Sequence, residues 1–166
     1  KTDIVKGFQD FTGEQGRKRE NIIRILKETF DRYGFEPCET PVIEYEEFVA
    51  GTPEGERDEA VSDIFKLKDK GERELALRYE FTFQLKRIAN NKKLPYKRYQ
   101  IGQVFRDEPA SDVKARFRQF TQADADVIGS TIKDEAEILS LAKEALGKLG
   151  IKSTIYFNNR KLLNEI

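Results

Sequence analysis

The strongest constraint on the fold of this chain is a pair of extended segments, 99–106 and 116–128, separated by a loop that contains Pro, Ser and Asp. Side chains alternate between the two faces of a strand, so residues two positions apart share a face. One face of the first segment carries Arg98, Gln100, Gly102, Val104 and Arg106. The even-numbered face of the second segment carries Arg116, Arg118, Phe120, Gln122, Asp124, Asp126 and Ile128. A hairpin of the two segments therefore predicts a face that mixes guanidinium, aromatic, amide and carboxylate groups.

A mixed face of this kind has two interpretations. In the first it binds a nucleotide, with Arg106 contacting a phosphate at the strand end and Phe120 stacking on an adenine ring. Gln122 and the carboxylates then hold a cationic or amine-bearing group. In the second, the face is a solvated surface of arginine–carboxylate pairs, each contributing about 0–1 kcal/mol. The strand pattern alone leaves both interpretations open.

The flanking segments predict further elements. Apolar residues at helical spacing indicate helices at 14–33 and 133–149. The signals for their ends are Thr12 as part of a capping box, Gly34, Ser130 or Thr131, and Gly150. Shorter segments predict strands at 64–67, 74–78 and 153–157, a helix at 82–91 and a mobile loop at 51–59. The order of elements predicts a single α+β domain over 1–166, with a mostly antiparallel sheet flanked by helices.

Composition excludes several classes of enzyme. The chain has no histidine and a single cysteine, Cys38, so it cannot supply a Ser-His-Asp triad, a Cys-His dyad or a His-ligated zinc. We therefore expect no metal site built from its own side chains. A lone cysteine suits a reducing compartment, and no apolar run approaches the ~18 residues of a membrane span. A cytoplasmic protein without membrane association is expected.

The formal net charge of zero hides a strong asymmetry along the chain. Residues 36–80 carry 14 acidic and 6 basic side chains, whereas residues 86–118 carry 10 basic and 3 acidic ones. The basic stretch also contains aromatic residues, a combination that can hold phosphates and stack bases. The alternative is that the two stretches are solvated faces that pair with each other.

Several segments, in order, resemble one family. Residues 101–108 and 116–126 resemble motif 2 of the class II aminoacyl-tRNA synthetases, in the form found in histidyl-tRNA synthetases. Residues 75–82 are similar to the amino-acid-binding loop of that family, and residues 6–10 to its N-terminal signature. The first helix with the segment up to Pro41 resembles motif 1, and residues 158–163 resemble the segment beyond motif 2. The resemblance implies part of a class II catalytic core.

The resemblance implies an ATP site at matching positions. Arg106 corresponds to the motif 2 arginine that contacts the α-phosphate, and is the implied catalytic residue. Glu108 corresponds to the acid that recognises the adenine amino group, and Phe120 to the ring that stacks on adenine. Arg116 or Arg118 is expected to contact the ATP phosphates. Mg²⁺ is expected to accompany ATP, held mainly by phosphate oxygens and water.

The resemblance also implies a histidine pocket. Glu80 and Thr82 are the expected ligands of the substrate's α-ammonium group, and Gln122 and Asp126 those of its imidazole ring. A carboxylate and an amide together satisfy the donor and the acceptor of imidazole. Aspartate rather than glutamate at position 126 resembles the archaeal or eukaryotic form of the pocket.

The implied function is that of a catalytic fragment of a histidine–tRNA ligase. Such an enzyme activates histidine with ATP to histidyl-adenylate and transfers the histidyl group to tRNA(His). The resemblance implies a homodimer formed through the helix and strand at about 14–41. Because motif 3 does not follow before Ile166, we expect the sequence to represent the first half of the catalytic core.

Two other functions remain open. The chain could belong to a catalytically silent paralogue that regulates a partner enzyme or binds histidine. It could also be a dimerising or tRNA-binding module without activity, for which the basic stretch 86–118 is the support. Retention of Arg106, Glu108 and Phe120 favours the enzyme, because a silent relative is free to lose its ATP contacts.

Overall fold

The computed structural model describes residues 2–50, 63–111 and 115–158. Within these ranges the chain forms four helices and six strands. In chain order they are α1 (Gly13–Arg32), β1 (Glu36–Pro37), β2 (Ile43–Tyr45), α2 (Glu46–Ala50), β3 (Lys66–Lys68), β4 (Glu74–Leu77), α3 (Leu85–Ala89), β5 (Tyr96–Phe105), β6 (Gln119–Ile128) and α4 (Ile132–Lys148). The expected mobile loop at 51–59 lies outside the described residues.

Strands β5 and β6 form the long antiparallel hairpin that the alternating pattern predicts. Their register runs from Tyr96 opposite Ile128 to Phe105 opposite Gln119. Residues directly opposite each other in an antiparallel pair point to the same face, so the even-numbered residues of both strands share one face. Strand β1 adds to β5 in parallel, which gives the order β1-β5-β6.

Helices α1 and α4 cover the odd-numbered face of this sheet. Phe30 of α1 and Leu141 of α4 are buried in one cluster with Phe35 and Tyr99. The ring centroids of Phe30 and Tyr99 are 5.2 Å apart, and burial of each such side chain contributes about 1.5–3 kcal/mol. The packing of both helices on this side leaves the even-numbered face on the opposite side of the sheet.

A second sheet, with the order β2-β4-β3, leads into the segment that contacts the even-numbered face. After β4, the backbone N–H of Phe105 donates to the carbonyl oxygen of Arg78 over 3.1 Å. Phe81 is completely buried, and a Cβ added to Gly102 would lie only 2.9 Å from Arg78 Nη2. Glycine at 102 therefore permits the close approach of residues 78–81 to strand β5.

The architecture confirms the predicted fold class. Both sheets are built mainly from antiparallel pairs, the β1–β5 pairing being the parallel exception, and helices flank the larger sheet. No helix in the described part of the chain has the length and apolar character needed to cross a lipid bilayer.

Helix ends follow the predicted signals with one exception. Gly34 and Gly150 both adopt a φ of +76°, and the backbone N–H of Thr131 donates to Asp134 Oδ2 over 2.7 Å. The capping box at Thr12 is wrong, because its side chain makes no capping hydrogen bond. The Thr12 carbonyl oxygen accepts the first intrahelical hydrogen bond, from the backbone N–H of Gly16.

Other local predictions are also wrong. Residues 153–157 do not form a strand, and their aromatic side chains Tyr156 and Phe157 are largely exposed. A strand requires a hydrogen-bonded neighbour, and no described strand pairs with this segment. The helix expected at 82–91 is limited to Leu85–Ala89, because the Glu80 carboxylate accepts from the Phe83 N–H and closes a turn there. Strand β2 and helix α2 were not predicted.

Candidate functional site

Arg106 follows the last residue of β5 and packs against two aromatic rings. Its guanidinium carbon lies 4.4 Å from the ring centre of Tyr79 and 5.1 Å from that of Phe120. Its Nε is buried, and no described group accepts a hydrogen bond from it. A guanidinium that is held by rings and retains a free donor is suited to binding an anionic ligand.

The opposite end of the same face carries carboxylates. The register places Asp124 opposite Gln100 and Asp126 opposite Arg98. Arg98 Nη2 lies 2.7 Å from Asp126 Oδ2, and the Gln122 amide donates to Asp124 Oδ2 over 2.9 Å. The strand register, rather than chain proximity, therefore assembles this end of the face.

Burial raises the pKa of both carboxyl groups at this end. For Asp124 the hydrogen bond from Gln122 and the charge of Arg98 oppose the effect of burial. For Asp126 the charge of Arg98 opposes it, whereas the charges of Asp124 and Glu80 add to it. The ionised carboxylates thus sit in a partly desolvated, mutually repulsive group, which a cationic ligand would stabilise.

The loop after β4 places Glu80 near these carboxylates. Glu80 Oε1 accepts from the backbone N–H of Phe83 over 2.6 Å, which fixes the direction of the carboxylate. Thr82 lies in the same loop and is exposed. The loop is attached to β5 by Arg78, which donates from Nε to the carbonyl oxygen of Gln103 and from Nη1 to that of Thr40, both over 2.7 Å.

The remaining arginines of motif 2 pair with acids at the start of the loop between β5 and β6. Arg116 Nη1 lies 3.5 Å from Glu108 Oε2. Arg118 forms an ion pair with Asp107, and its guanidinium carbon lies 4.8 Å from the ring centre of Phe65. Residues 112–114 of this loop lie outside the described residues. Each of the two arginines therefore has an acidic partner within the loop.

The N-terminal segment supports Arg118 directly. The backbone N–H of Arg118 donates to the carbonyl oxygen of Gly7 over 2.8 Å. Gly7 has a φ of +83°, and an added Cβ would lie 2.6 Å from Arg118 Cγ. The adjacent Phe8 packs edge-on against Phe65, with ring centroids 6.0 Å apart. This segment therefore holds Arg118 at the start of β6.

The structure brings most of the sequence-predicted residues onto one face. Those that lie on it or at its ends are Arg106, Phe120, Gln122, Asp126 and Glu80. Glu108, Arg116 and Arg118 lie in the connecting loop, beyond the Arg106 end. Asp124 is one of the carboxylates expected to hold a cationic or amine-bearing group, whereas Arg98 is a member of the face with no expected role. Tyr79 was not singled out, since nothing in a strand pattern indicates that a loop aromatic will reach Arg106.

Comparison with known proteins identifies the family. The family model described as histidyl-tRNA synthetase matches residues 7–166. The protein named histidine–tRNA ligase 1 from Bacillus cereus is 42% identical over 166 residues, which cover 98% of this chain and 38% of that relative. The chain thus spans little more than a third of the length of that curated relative.

Solved structures agree with this comparison. The crystal structure of histidyl-tRNA synthetase from Nostoc sp. PCC 7120 matches 89% of this chain and 34% of its own, with a TM-score of 0.73 and 28% identity. A Bacillus halodurans protein, described as an ATP phosphoribosyltransferase regulatory subunit/histidyl-tRNA synthetase, has a TM-score of 0.75, covers 92% of this chain and 39% of its own, and is 22% identical, so it shows the shared fold alone. By its sequence match and its class II catalytic fold, this chain belongs to the histidyl-tRNA synthetase family.

Proposed function

We propose that the protein carrying this chain is a histidine–tRNA ligase and that this chain supplies much of its ATP and histidine sites. The observation that carries the proposal is the polarity of the even-numbered face of β5 and β6. Arg106 presents an unsatisfied donor at one end, and Asp124 and Asp126 present partly desolvated carboxylates at the other. A ligand with a phosphate at one end and amine groups at the other complements this face.

In the proposed reaction the carboxylate of histidine attacks the α-phosphorus of ATP in line, and pyrophosphate leaves. A ribose hydroxyl of the terminal adenosine of tRNA(His) then attacks the carbonyl carbon of histidyl-adenylate, which forms the ester and releases AMP and the hydroxyl proton. Both steps depend on orientation and on neutralisation of charge rather than on a protein nucleophile. The absence of histidine side chains from the chain is compatible with this chemistry.

At the ATP end, Arg106 is the proposed catalytic residue. Its contacts with Tyr79 and Phe120 hold the guanidinium in place, and its buried Nε has no partner among the described residues. In this proposal the guanidinium contacts an α-phosphate oxygen. We assign adenine to Phe120 and Glu108, and the outer phosphates to Arg116 or Arg118. Those two arginines must then exchange or share their acidic partners when ATP binds.

At the histidine end, Glu80 and Thr82 are the proposed ligands of the α-ammonium group, and Gln122 and Asp126 of the imidazole. The charge of Glu80 adds to burial in raising the pKa of Asp124 and of Asp126, which favours a cationic ligand at this end. The described residues contain no group of three or more metal-ligating side chains. In this proposal Mg²⁺ enters with ATP, held mainly by phosphate oxygens and water.

The proposal includes the wider assembly. We treat residues 1–166 as the first part of one catalytic domain of a longer cytoplasmic protein, in keeping with the single cysteine in these residues.

The proposal also includes a homodimer formed through α1 and β1. It is supported by the apolar side chain of Ile22, which is 44% exposed. A groove on α1 beside the sheet is lined by Ile22, Ile23, Leu26, Ile101 and Ala123 together with polar ends.

Histidine-dependent exchange of pyrophosphate into ATP tests the proposal, with the protein that carries this chain. We expect exchange in the unaltered protein, a loss of about 10²–10³-fold in Arg106→Ala, and full activity in the matched control Arg73→Ala. Arg73 forms an ion pair with Asp69 in the turn between β3 and β4, outside both the proposed site and the proposed dimer contact.

Other outcomes of this experiment identify the alternatives. Histidine binding without exchange would indicate a regulatory paralogue. Salt-sensitive RNA binding without ATP binding would indicate an RNA-binding module. Near-normal exchange in Arg106→Ala would contradict the role of Arg106.

A further inference from the structure

Arg98 is the most completely buried cation of the site, and the proposed reaction assigns it no role. Its side chain has no solvent exposure. Of its donors, Nη2 bonds to the carbonyl oxygen of Phe81 over 3.1 Å, while Nε and Nη1 have no hydrogen-bond partner among the described residues. Burial of a guanidinium is costly unless nearby charges and acceptors compensate for it. A buried arginine that is only partly satisfied therefore calls for a functional explanation.

The two partners of Arg98 come from different elements. Phe81 lies between Glu80 and Thr82 in the loop after β4, and Asp126 lies on β6. These elements carry the two groups of proposed histidine ligands. A single guanidinium thus connects the part of the pocket that holds the α-ammonium group to the part that holds the imidazole.

The geometry of the Arg98–Asp126 pair leaves an acceptor available. Nη2 lies 2.7 Å from Asp126 Oδ2, but the N–H directions do not form a hydrogen bond, and this oxygen has no hydrogen-bond partner among the described groups. The cation therefore attracts the carboxylate without occupying its lone pair. Because Oδ2 is buried while the Asp126 side chain is 31% exposed, the other carboxylate oxygen, Oδ1, is the one that an imidazole N–H can reach.

The charges around Asp126 give Arg98 a second effect. Burial, Asp124 and Glu80 all favour the protonated form of the Asp126 carboxyl, and Arg98 opposes them. Removal of the guanidinium would leave these acids without a cation of comparable proximity. Both the position and the charge of the Asp126 carboxylate therefore depend on Arg98.

We propose that Arg98 is a positioning residue of the histidine pocket, which holds the Asp126 carboxylate and the 80–82 loop in the arrangement that binds histidine. In this proposal Arg98 contacts neither ATP nor the reacting atoms, so it affects the binding of the amino acid and not that of the nucleotide. This inference rests on the proposed function.

The experiment compares variants of the protein that carries this chain by histidine-dependent pyrophosphate exchange. Arg98→Lys keeps a positive charge but cannot reach both partners, and Arg98→Met removes the charge. We expect the KM for histidine to rise about tenfold in the lysine variant and further in the methionine variant, with the KM for ATP changed less than about twofold. Arg87→Lys is the matched control, because Arg87 forms a two-pronged ion pair with Glu44 outside the site.

A second measurement keeps the proposal testable if Arg98→Met does not fold. In the Asp126→Asn background, Arg98→Lys should raise the KM for histidine by much less than in the unaltered protein, because its partner's charge is already gone. Equal effects in both backgrounds would overturn the role of Arg98. So would equal changes in both KM values, or the same histidine effect in Arg87→Lys.

The outcomes separate this inference from the proposed function. An unaltered protein that neither catalyses exchange nor binds histidine would overturn both. Exchange in the unaltered protein, with no selective effect of Arg98→Lys on histidine, would overturn the inference alone.

Discussion

The guanidinium carbon of Arg106 lies 5.1 Å from the centre of the Phe120 ring, across the paired strands β5 and β6. The two residues are 14 positions apart in the chain, and the register that pairs Val104 with Phe120 brings them together. This contact joins the proposed phosphate ligand to the proposed adenine platform. Loss of the ring should therefore weaken the binding of ATP more than the binding of histidine.

Phe120→Leu should raise the KM for ATP by about tenfold, because base stacking on an aromatic ring contributes about 1–3 kcal/mol. The KM for histidine should change little. Pyrophosphate exchange at varied ATP and at varied histidine measures both constants. Phe11→Leu is the matched control, because the Phe11 ring lies 3.9 Å from the guanidinium carbon of Arg19 outside the site. An unchanged KM for ATP in Phe120→Leu would remove the adenine assignment.

Glu80→Gln and Glu108→Gln should give opposite selectivities. Glu80 is the proposed α-ammonium ligand, so its neutralisation should raise the KM for histidine by about tenfold or more while preserving ATP binding. The glutamine can still accept the hydrogen bond that Glu80 accepts from Phe83, which protects the loop. Glu108→Gln should weaken the binding of ATP and leave the binding of histidine unchanged. If each variant weakens the binding of both substrates equally, the assignment of ATP and histidine to separate ends of the site is wrong.

Gly7→Ala should destabilise the protein by about 1–2 kcal/mol, because the left-handed backbone disfavours a side chain and the new Cβ would collide with Arg118. Denaturant-induced unfolding measures this loss. Gly13→Ala separates the two causes, since Gly13 has a φ of +55° and no atom within 4 Å of an added Cβ. Equal losses in both variants would show that backbone strain accounts for the whole effect and that Arg118 adjusts without cost.

Asp124→Asn should increase stability more at pH 7 than at about pH 3.5. The folded-state pKa of Asp124 is raised above the ordinary 3.8 by burial. Between pH 3.8 and its higher folded-state pKa, the folded protein therefore binds more protons at Asp124 than the unfolded chain does, so stability falls as pH rises through the folded-state pKa. Asparagine lacks this ionisation and retains an acceptor for the Gln122 amide. Thermal unfolding at the two pH values measures the difference, and an equal gain at both would contradict the assignment of the shift to burial.

The local sequence pattern was sufficient to predict the β5–β6 hairpin and the residues on its even-numbered face. The two-residue period of a strand is a property of the backbone, so the alternation in 116–128 already grouped Phe120, Gln122 and Asp126 on one side. The same local logic identified the helices α1 and α4 and the glycines that end them. It failed at Thr12, whose side chain makes no capping hydrogen bond, and at 153–157, where a strand requires a hydrogen-bonded partner.

The contacts that distinguish this site could be identified only from the tertiary structure. No spacing in the sequence indicates that Tyr79 reaches Arg106, or that Gly7 supports Arg118, because these contacts join segments that are far apart in the chain. The pairing of Arg98 with Asp126 and the burial that raises the pKa of Asp124 likewise follow from register and packing. Periodicity is local and can be read along the chain, whereas proximity and desolvation arise when distant segments pack together.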